Sequence, residues 1–170
     1  MADNIEILTT QSQVDDLLAN VDHILIDCDG VIYLTNVTVD GTPDVVKRLR
    51  SSGKKILFAS NNSSKSRQSV LTKINKMGFD ASLGEVIVSC YLVAVYLKQQ
   101  NFTGRAYVFG CAGVKDELDA AGIDNVGVGP DPVTVKNDLV PVVELNDGQI
   151  DAVVVGFDNE ISLPKLIKVC

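Results

Sequence analysis

Two carboxylates interrupt the apolar stretch "HILIDCDGVIYL" (residues 23–34): Asp27 and Asp29 stand two residues apart, with Gly30 immediately behind them. Along an extended strand, side chains two residues apart project to the same side, so the pair points together while Cys28 points away. Burying two carboxylates is costly unless a cation or a shared proton compensates, which makes a divalent metal the natural companion. Oxygen-only ligands favour Mg²⁺ over zinc, and Mg²⁺ typically keeps waters and accepts phosphate oxygens. The bland alternative is a turn that uses Asp and Gly for their tolerance of positive φ.

A second apolar run, "KILFAS" (Lys55–Ser60), ends in "SNNSSKSR". If both runs are strands of one parallel sheet, Ser60, Asn61 and Asn62 lie at the same sheet edge as the aspartates, where open α/β sheets bind their ligands. A helix N-terminus follows them. A hydroxyl, amides and a positive dipole end are anion-binding elements. Carboxylates and a cation beside such a cradle point to phosphoryl transfer.

The elements that must hold these residues are readable in outline. Ser12 with Asp15 has capping-box spacing, and Val14, Leu17, Leu18 and Val21 recur at helical intervals. "HILID" is continuously apolar, which predicts a strand buried on both faces. "TPDVVKRLRSSGK" predicts a helix capped by Thr42, with Pro43 in its first turn, a solvated basic end at Lys47, Arg48 and Arg50, and Gly53 as its stop. "SKSRQSVLTKINKMGF" predicts a helix closed by Gly78, and "SCYLVAVYLKQQ" a third whose stripe of Leu92, Val95 and Tyr96 is expected in the core. A new unit then begins: "RAYVFG" as strand, "CAGVKDELDAAG" as helix, "NVGVGPDP" as a surface loop, "DAVVVGFD" as strand and "SLPKLIKVC" as a final helix. The order β-α-β-α-α, then β-α-β-α, argues α/β with parallel strands and right-handed crossovers. The run "VGVGPD" is no dinucleotide fingerprint, because Gly127 and Gly129 lack a third glycine and Pro130 intrudes.

Composition narrows the functional classes. A chain of 170 residues with 46% apolar residues and 22% charged ones folds as a globule of one or two domains. Its net charge of −7 argues against a nucleic-acid partner, which needs clustered Lys and Arg. "MADNIEILTTQSQ" has no leader pattern and no run is long enough to span a membrane, so the expectation is a cytoplasmic protein. Cys28, Cys90, Cys111 and Cys170 are scattered and His23 is the one histidine. Reduced packing thiols are expected rather than a zinc site or disulfides.

"ILIDCDGVIY" followed by "ILFASNNSSKSR" resembles the first and second motifs of the haloacid dehalogenase (HAD) superfamily of phosphatases. Within it the resemblance is to the p-nitrophenylphosphatase group, with its phosphoglycolate and pyridoxal phosphate phosphatases. "VFGCAGVKDELDAAGI" and "DAVVVGFDNEISLPKLIKVC" are similar to the first half of that group's α/β cap. The resemblance implies the N-terminal half of a HAD-like Rossmannoid core over residues 1–102 and part of the cap over 103–170. It implies Mg²⁺-dependent hydrolysis of small phosphorylated metabolites through an aspartyl-phosphate. Asp27 would be nucleophile and metal ligand. Asp29 would be the general acid and then base, its pKa raised by its neighbour and its backbone carbonyl on the metal. Ser60, Asn61 and Asn62 would hold the phosphoryl oxygens, and Gly30 would allow the tight exit of the chain.

The family's later motifs, a phosphate-binding lysine and an acidic G-D-x-x-x-T-D segment, are not found in these 170 residues. This predicts a truncated product or isoform that alone is poorly active or inactive, whose "HILID" strand lies at a sheet edge and invites association with further copies. A non-catalytic interaction module is the alternative. A phospho-accepting receiver domain is disfavoured by the serine-asparagine motif and the cap-like segment.

Overall fold

The computed structural model describes residues 7–132, 134–136, 140–142 and 148–170, and the side chains of 134–136 and 140–142 are left aside. The first six residues, which the leader reading includes, lie outside them. The chain forms two compact units, Met1–Phe58 and Ala59–Cys170.

The first unit opens with α1 (Gln11–Ala19). Its cap is Thr10 rather than Ser12: Thr10 Oγ1 accepts the Gln13 N–H at 3.3 Å, and Gln13 Oε1 accepts the Thr10 N–H at 3.0 Å. That reciprocal pair satisfies two orphan donors two residues earlier than expected, and Asp15 instead accepts from the Gln11 side chain. After β1 (His23–Asp27) a tight turn leads to a small antiparallel hairpin, β2 (Tyr33–Leu34) and β3 (Val37–Thr38). α2 (Thr42–Ser51) is capped by Gly41 at φ 79°. Thr42 is its first helical residue, with its hydroxyl donated to the Val39 carbonyl at 2.6 Å. Gly53, at φ 82°, ends it as expected.

β4 (Lys55–Ser60) crosses from the first unit to the second. In the first unit it neighbours β1, and its Lys55 N–H bonds the Asp22 carbonyl at 2.9 Å. β1 is an edge strand among the described residues. Its burial alternates instead of being complete, and Leu25 is 62% exposed. The uninterrupted apolar run therefore overstates its burial, because no described element covers that face.

In the second unit β4 neighbours β5 (Val86–Val88), a strand reached through α3 (Arg67–Lys76) and a 3₁₀ turn (Leu83–Glu85). α4 (Ser89–Gln99) follows. Its buried stripe is Cys90, Ala94 and Leu97, whereas Leu92 and Tyr96, expected in the core, are 52% and 60% exposed. The helix is apolar on most sides, so periodicity alone does not select its inward face.

β6 (Arg105–Phe109), α5 (Ala112–Ala120), β7 (Asp124–Val126), β8 (Thr134–Lys136), β9 (Val140–Val142), β10 (Ala152–Val155) and α6 (Leu163–Val169) complete the chain. β6 is the central strand of a parallel sheet ordered β10-β6-β7, with Val154 beside Val108 and Tyr107 beside Val126. Both faces of β6 are buried from Ala106 to Phe109, as a covered parallel strand requires. β7 falls where the sequence predicts only loop, since three residues carry no periodicity. The turn after it does use Gly127 at φ 101°, where an added Cβ would lie 2.9 Å from the Tyr107 ring and the Val108 carbonyl.

All four cysteines are free: Cys28 and Cys90 are buried, Cys111 half-buried and Cys170 exposed. Burial pushes the Cys90 thiol up to about 11. Because the thiolate is the reactive form, iodoacetamide at neutral pH should label Cys170 at least about 100-fold faster than Cys90. Mass spectrometry of the native and urea-unfolded protein checks this, and comparable native rates would contradict the packing described. Among the described residues no helix is long and apolar enough to cross a membrane.

Candidate active site

β1 delivers Asp27 at its last position, and the chain then turns sharply. The Cys28 carbonyl accepts the N–H groups of Val31, Ile32 and Tyr33 at 3.1–3.3 Å, while Gly30, at φ 87°, donates its own N–H to the Tyr33 carbonyl at 2.8 Å. A side chain at position 30 would be strained by that φ, which is why glycine follows the aspartates. Cys28 is fully buried and anchors the turn. Asp27 and Asp29 are both exposed rather than buried.

Asp27 Oδ1 accepts the Cys28 N–H at 2.8 Å, and Asp29 Oδ2 accepts the Tyr33 hydroxyl at 3.2 Å. Tyr33, 2% exposed, received no role from sequence reasoning. The signal was its place four residues after Asp29, in "DGVIY". Burial first, then the negative charge of Cys28, Asp29 and Asp27, raises its phenol well above the ordinary tyrosine value. Both carboxylates thus bear on one phenol.

A folded pKa above the unfolded value of 10.0 gives a stabilisation fully present below about pH 10 and lost as pH rises from there toward the folded value. Tyr33→Phe should remove that alkaline sensitivity and cost about 0.5–1.5 kcal/mol at neutral pH. Urea melts from pH 8 to 11 check it, and an unchanged pH slope in the variant would refute it.

Ser60, Asn61 and Asn62 belong to the second unit. β4 ends at Ser60, which is buried, and its Oγ accepts the Asn62 N–H at 3.2 Å. Asn62 Oδ1 in turn accepts the Ser64 N–H at 2.8 Å and the Ser64 hydroxyl at 2.7 Å, an Asx turn that curls the backbone. The Asn61 carbonyl accepts the Ser89 hydroxyl at 3.2 Å. Ser63 Oγ accepts the Phe157 N–H at 3.0 Å. The structure therefore brings Ser60 and Asn62 together in one hydrogen-bonded loop and gathers Asp27 and Asp29 around Tyr33.

The helix N-terminus that the sequence adds to the anion cradle is differently employed. The first N–H of α3, on Arg67, donates to Glu117 Oε1 at 2.6 Å, and Arg67 Nε reaches Glu117 Oε2 at 3.1 Å. A carboxylate of the chain itself occupies that donor. Glu117 lies fifty residues away in sequence, which no local pattern could reveal.

Each unit carries a cleft. In the first unit a cleft of about 690 Å³ lies between α1 and α2 and carries none of the sequence-predicted site residues. In the second, a cleft of about 430 Å³ is lined by Ser64 and Lys65, continuing the Ser60–Asn62 loop, and by Cys111, Asn159 and Glu160. It opens at the carboxyl ends of β6 and β10, where the strand order switches direction. For a metal, Asp27 and Asp29 could supply hard oxygen donors of the kind that favour Mg²⁺ over zinc. Among the described residues no cluster of three or more His, Cys, Asp or Glu forms a fuller ligand set.

The chain is 38% identical over 160 residues to human glycerol-3-phosphate phosphatase, an alignment covering 89% of this chain and 50% of the relative. It is 36% identical to 4-nitrophenylphosphatase of Schizosaccharomyces pombe, covering 93% and 54%. It is 35% identical to the chloroplastic phosphoglycolate phosphatase 1A of Arabidopsis thaliana, covering 89% and 42%. The chain thus spans about half the length of these curated relatives. Among solved structures, 4-nitrophenylphosphatase from Thermotoga maritima superposes with a TM-score of 0.70 at 25% identity over 91% of this chain and 51% of that one. The p-nitrophenyl phosphatase from Archaeoglobus fulgidus does so at 0.58 with 32% identity, over 61% and 40%. The family model for haloacid dehalogenase-like hydrolases matches residues 24–124, which include both the aspartate turn and the serine-asparagine loop. On that match, together with the α/β fold it shares with phosphatases, this chain belongs to the haloacid dehalogenase-like hydrolases.

Proposed function

We propose that the protein is a Mg²⁺-dependent phosphoric monoester hydrolase acting on small phosphorylated metabolites through an aspartyl-phosphate. The observation that carries this reading is the turn after β1, where two exposed carboxylates are held by Cys28 and Tyr33 in a chain of this family. Asp27 Oδ1 is engaged by the Cys28 N–H, so Oδ2 is the oxygen that attacks phosphorus. As that bond forms, the ester P–O bond breaks and Asp29 gives its proton to the leaving oxygen. Asp29 then takes a proton from water, which attacks the aspartyl-phosphate and releases phosphate and the Asp27 carboxylate. The Tyr33 hydroxyl orients the Asp29 carboxylate throughout.

Asp27 and the backbone carbonyl of Asp29 would hold the Mg²⁺, which supplies charge neutralisation for the phosphoryl group when bound. Ser60, Asn61 and Asn62 donate to the phosphoryl oxygens. The substrates expected are small organic phosphate esters. Relatives named for glycerol 3-phosphate, phosphoglycolate and 4-nitrophenyl phosphate support substrates of this scale.

Release of p-nitrophenol from p-nitrophenyl phosphate by the purified chain tests the reading. Turnover that rises with added Mg²⁺ and disappears with EDTA supports it. Mg²⁺ binding with no turnover would favour the interaction-module reading instead.

A further inference from the structure

We propose that Glu117 is a positioning residue for the phosphate-holding loop. Its carboxylate fills the anion site at the start of α3 and confines a bound phosphoryl group to Ser60, Asn61 and Asn62, a role that rests on the phosphatase reading. Glu117 sits on α5 and is only 4% exposed. A carboxylate this buried must be paired. Its two oxygens span the Arg67 backbone N–H at 2.6 Å and Arg67 Nε at 3.1 Å. The Arg67 guanidinium also lies 3.4 Å from the centre of the Tyr91 ring, and with side chains 20% and 5% exposed the Arg67–Glu117 pair is partly withdrawn from solvent, which strengthens the bond.

The start of α3 would otherwise attract an external anion, since the first N–H groups of a helix lack partners and carry its positive end. Glu117 neutralises that attraction in the folded chain. It also fixes the backbone. One helical turn before it, Gly113 presses on the same segment: an added Cβ there would fall 2.5 Å from the Lys65 backbone. From the side of α4, Cys90 Sγ donates to the Lys65 carbonyl at 2.9 Å and Ser89 Oγ to the Asn61 carbonyl at 3.2 Å. The backbone from Asn61 to Arg67 is thus held by α4 and by α5, and of these restraints only the one from Glu117 is charged. Orientation of binding groups to within about 1 Å can be worth 10²-fold, so loosening this restraint should be felt at Ser60 and Asn62.

The test compares the full chain with Glu117→Ala, Glu117→Gln and, as a control on the same helix, Lys115→Ala, whose side chain pairs on the surface with Asp119. Two quantities are measured well below the unfolding temperature: the dissociation constant for inorganic phosphate with Mg²⁺, and amide hydrogen exchange over residues 60–67. Glu117→Ala should weaken phosphate binding by about 10–100-fold and speed exchange in that segment. Glu117→Gln, which keeps one acceptor for the Arg67 N–H, should fall between it and the wild type, and Lys115→Ala should match the wild type. If Glu117→Ala does not fold, Glu117→Gln decides. Unchanged phosphate affinity in the folded variants overturns the proposal, because a merely structural role would lower thermal stability and leave the affinity alone. If the wild-type chain binds no phosphate, the phosphatase reading fails. The positioning role then falls with it, whereas phosphate binding by the wild type that the folded variants leave unchanged overturns the positioning role alone.

Discussion

Asp27→Asn is expected to slow hydrolysis of p-nitrophenyl phosphate by at least about 10⁴-fold at saturating Mg²⁺, the scale seen when a nucleophile is removed. A carboxamide has the same shape but cannot attack phosphorus. The substitution leaves the turn intact, since the Asn carbonyl can still accept the Cys28 N–H that Asp27 Oδ1 accepts at 2.8 Å. Stability should therefore stay within about 0.5 kcal/mol, as for an exposed surface change, and the loss would be chemical. Asp29→Asn should behave differently. It removes the proton donor, so its cost should be larger for alkyl phosphates than for p-nitrophenyl phosphate, whose leaving oxygen needs less help. Steady-state rates on the two ester classes, with urea melts of each variant, separate these roles. Retention of rate within tenfold in Asp27→Asn would remove it as nucleophile.

The largest stability effect is expected far from that turn, at the ion pair between Asp158 and Lys165. Lys165 is 0% exposed, and its Nζ lies 2.7 Å from Asp158 Oδ2. The other Asp158 oxygen accepts the Glu160 N–H at 2.8 Å, so the pair also orders the segment that walls the second-unit cleft. Removing one partner leaves a buried charge unpaired, which costs about 3–5 kcal/mol. Asp158→Asn or Lys165→Met should accordingly lower the urea midpoint by about 2 M, given usual slopes. Replacing both together, as Asp158→Leu with Lys165→Met, should recover most of that loss, because an apolar pair carries no desolvation penalty. A double variant no more stable than the singles would show that shape, rather than charge pairing, governs this site.

Neither residue stands out in the sequence. "FDNEISLPK" reads as a strand end, a polar loop and a helix start, and a lysine at the third position of a short helix is ordinarily a surface residue. Its burial arises because α6 is laid against the sheet by Ser162, whose hydroxyl donates to the Asp131 carbonyl at 2.6 Å, and by Lys168, which pairs with Asp131 at 2.8 Å.

What the sequence determined by itself was whatever depends on near neighbours. The apolar run "KILFAS" became β4 with its bounds unchanged. Gly53 and Gly78 end their helices at positive φ, and Asp27 is the last residue of β1, with Asp29 two residues beyond it in the turn. These follow from backbone sterics and short-range periodicity, which are written into consecutive residues. Tertiary structure alone decided which faces are covered and which distant groups meet. It left Leu25, Leu92 and Tyr96 exposed, because an apolar side chain is buried only where another element lies over it. It assembled three-residue strands such as β5 and β7, whose existence depends on a partner strand and not on any pattern of their own. It also brought Glu117 onto the first N–H of α3, since a buried charge is placed by the partner that neutralises it, and that partner is fifty residues away.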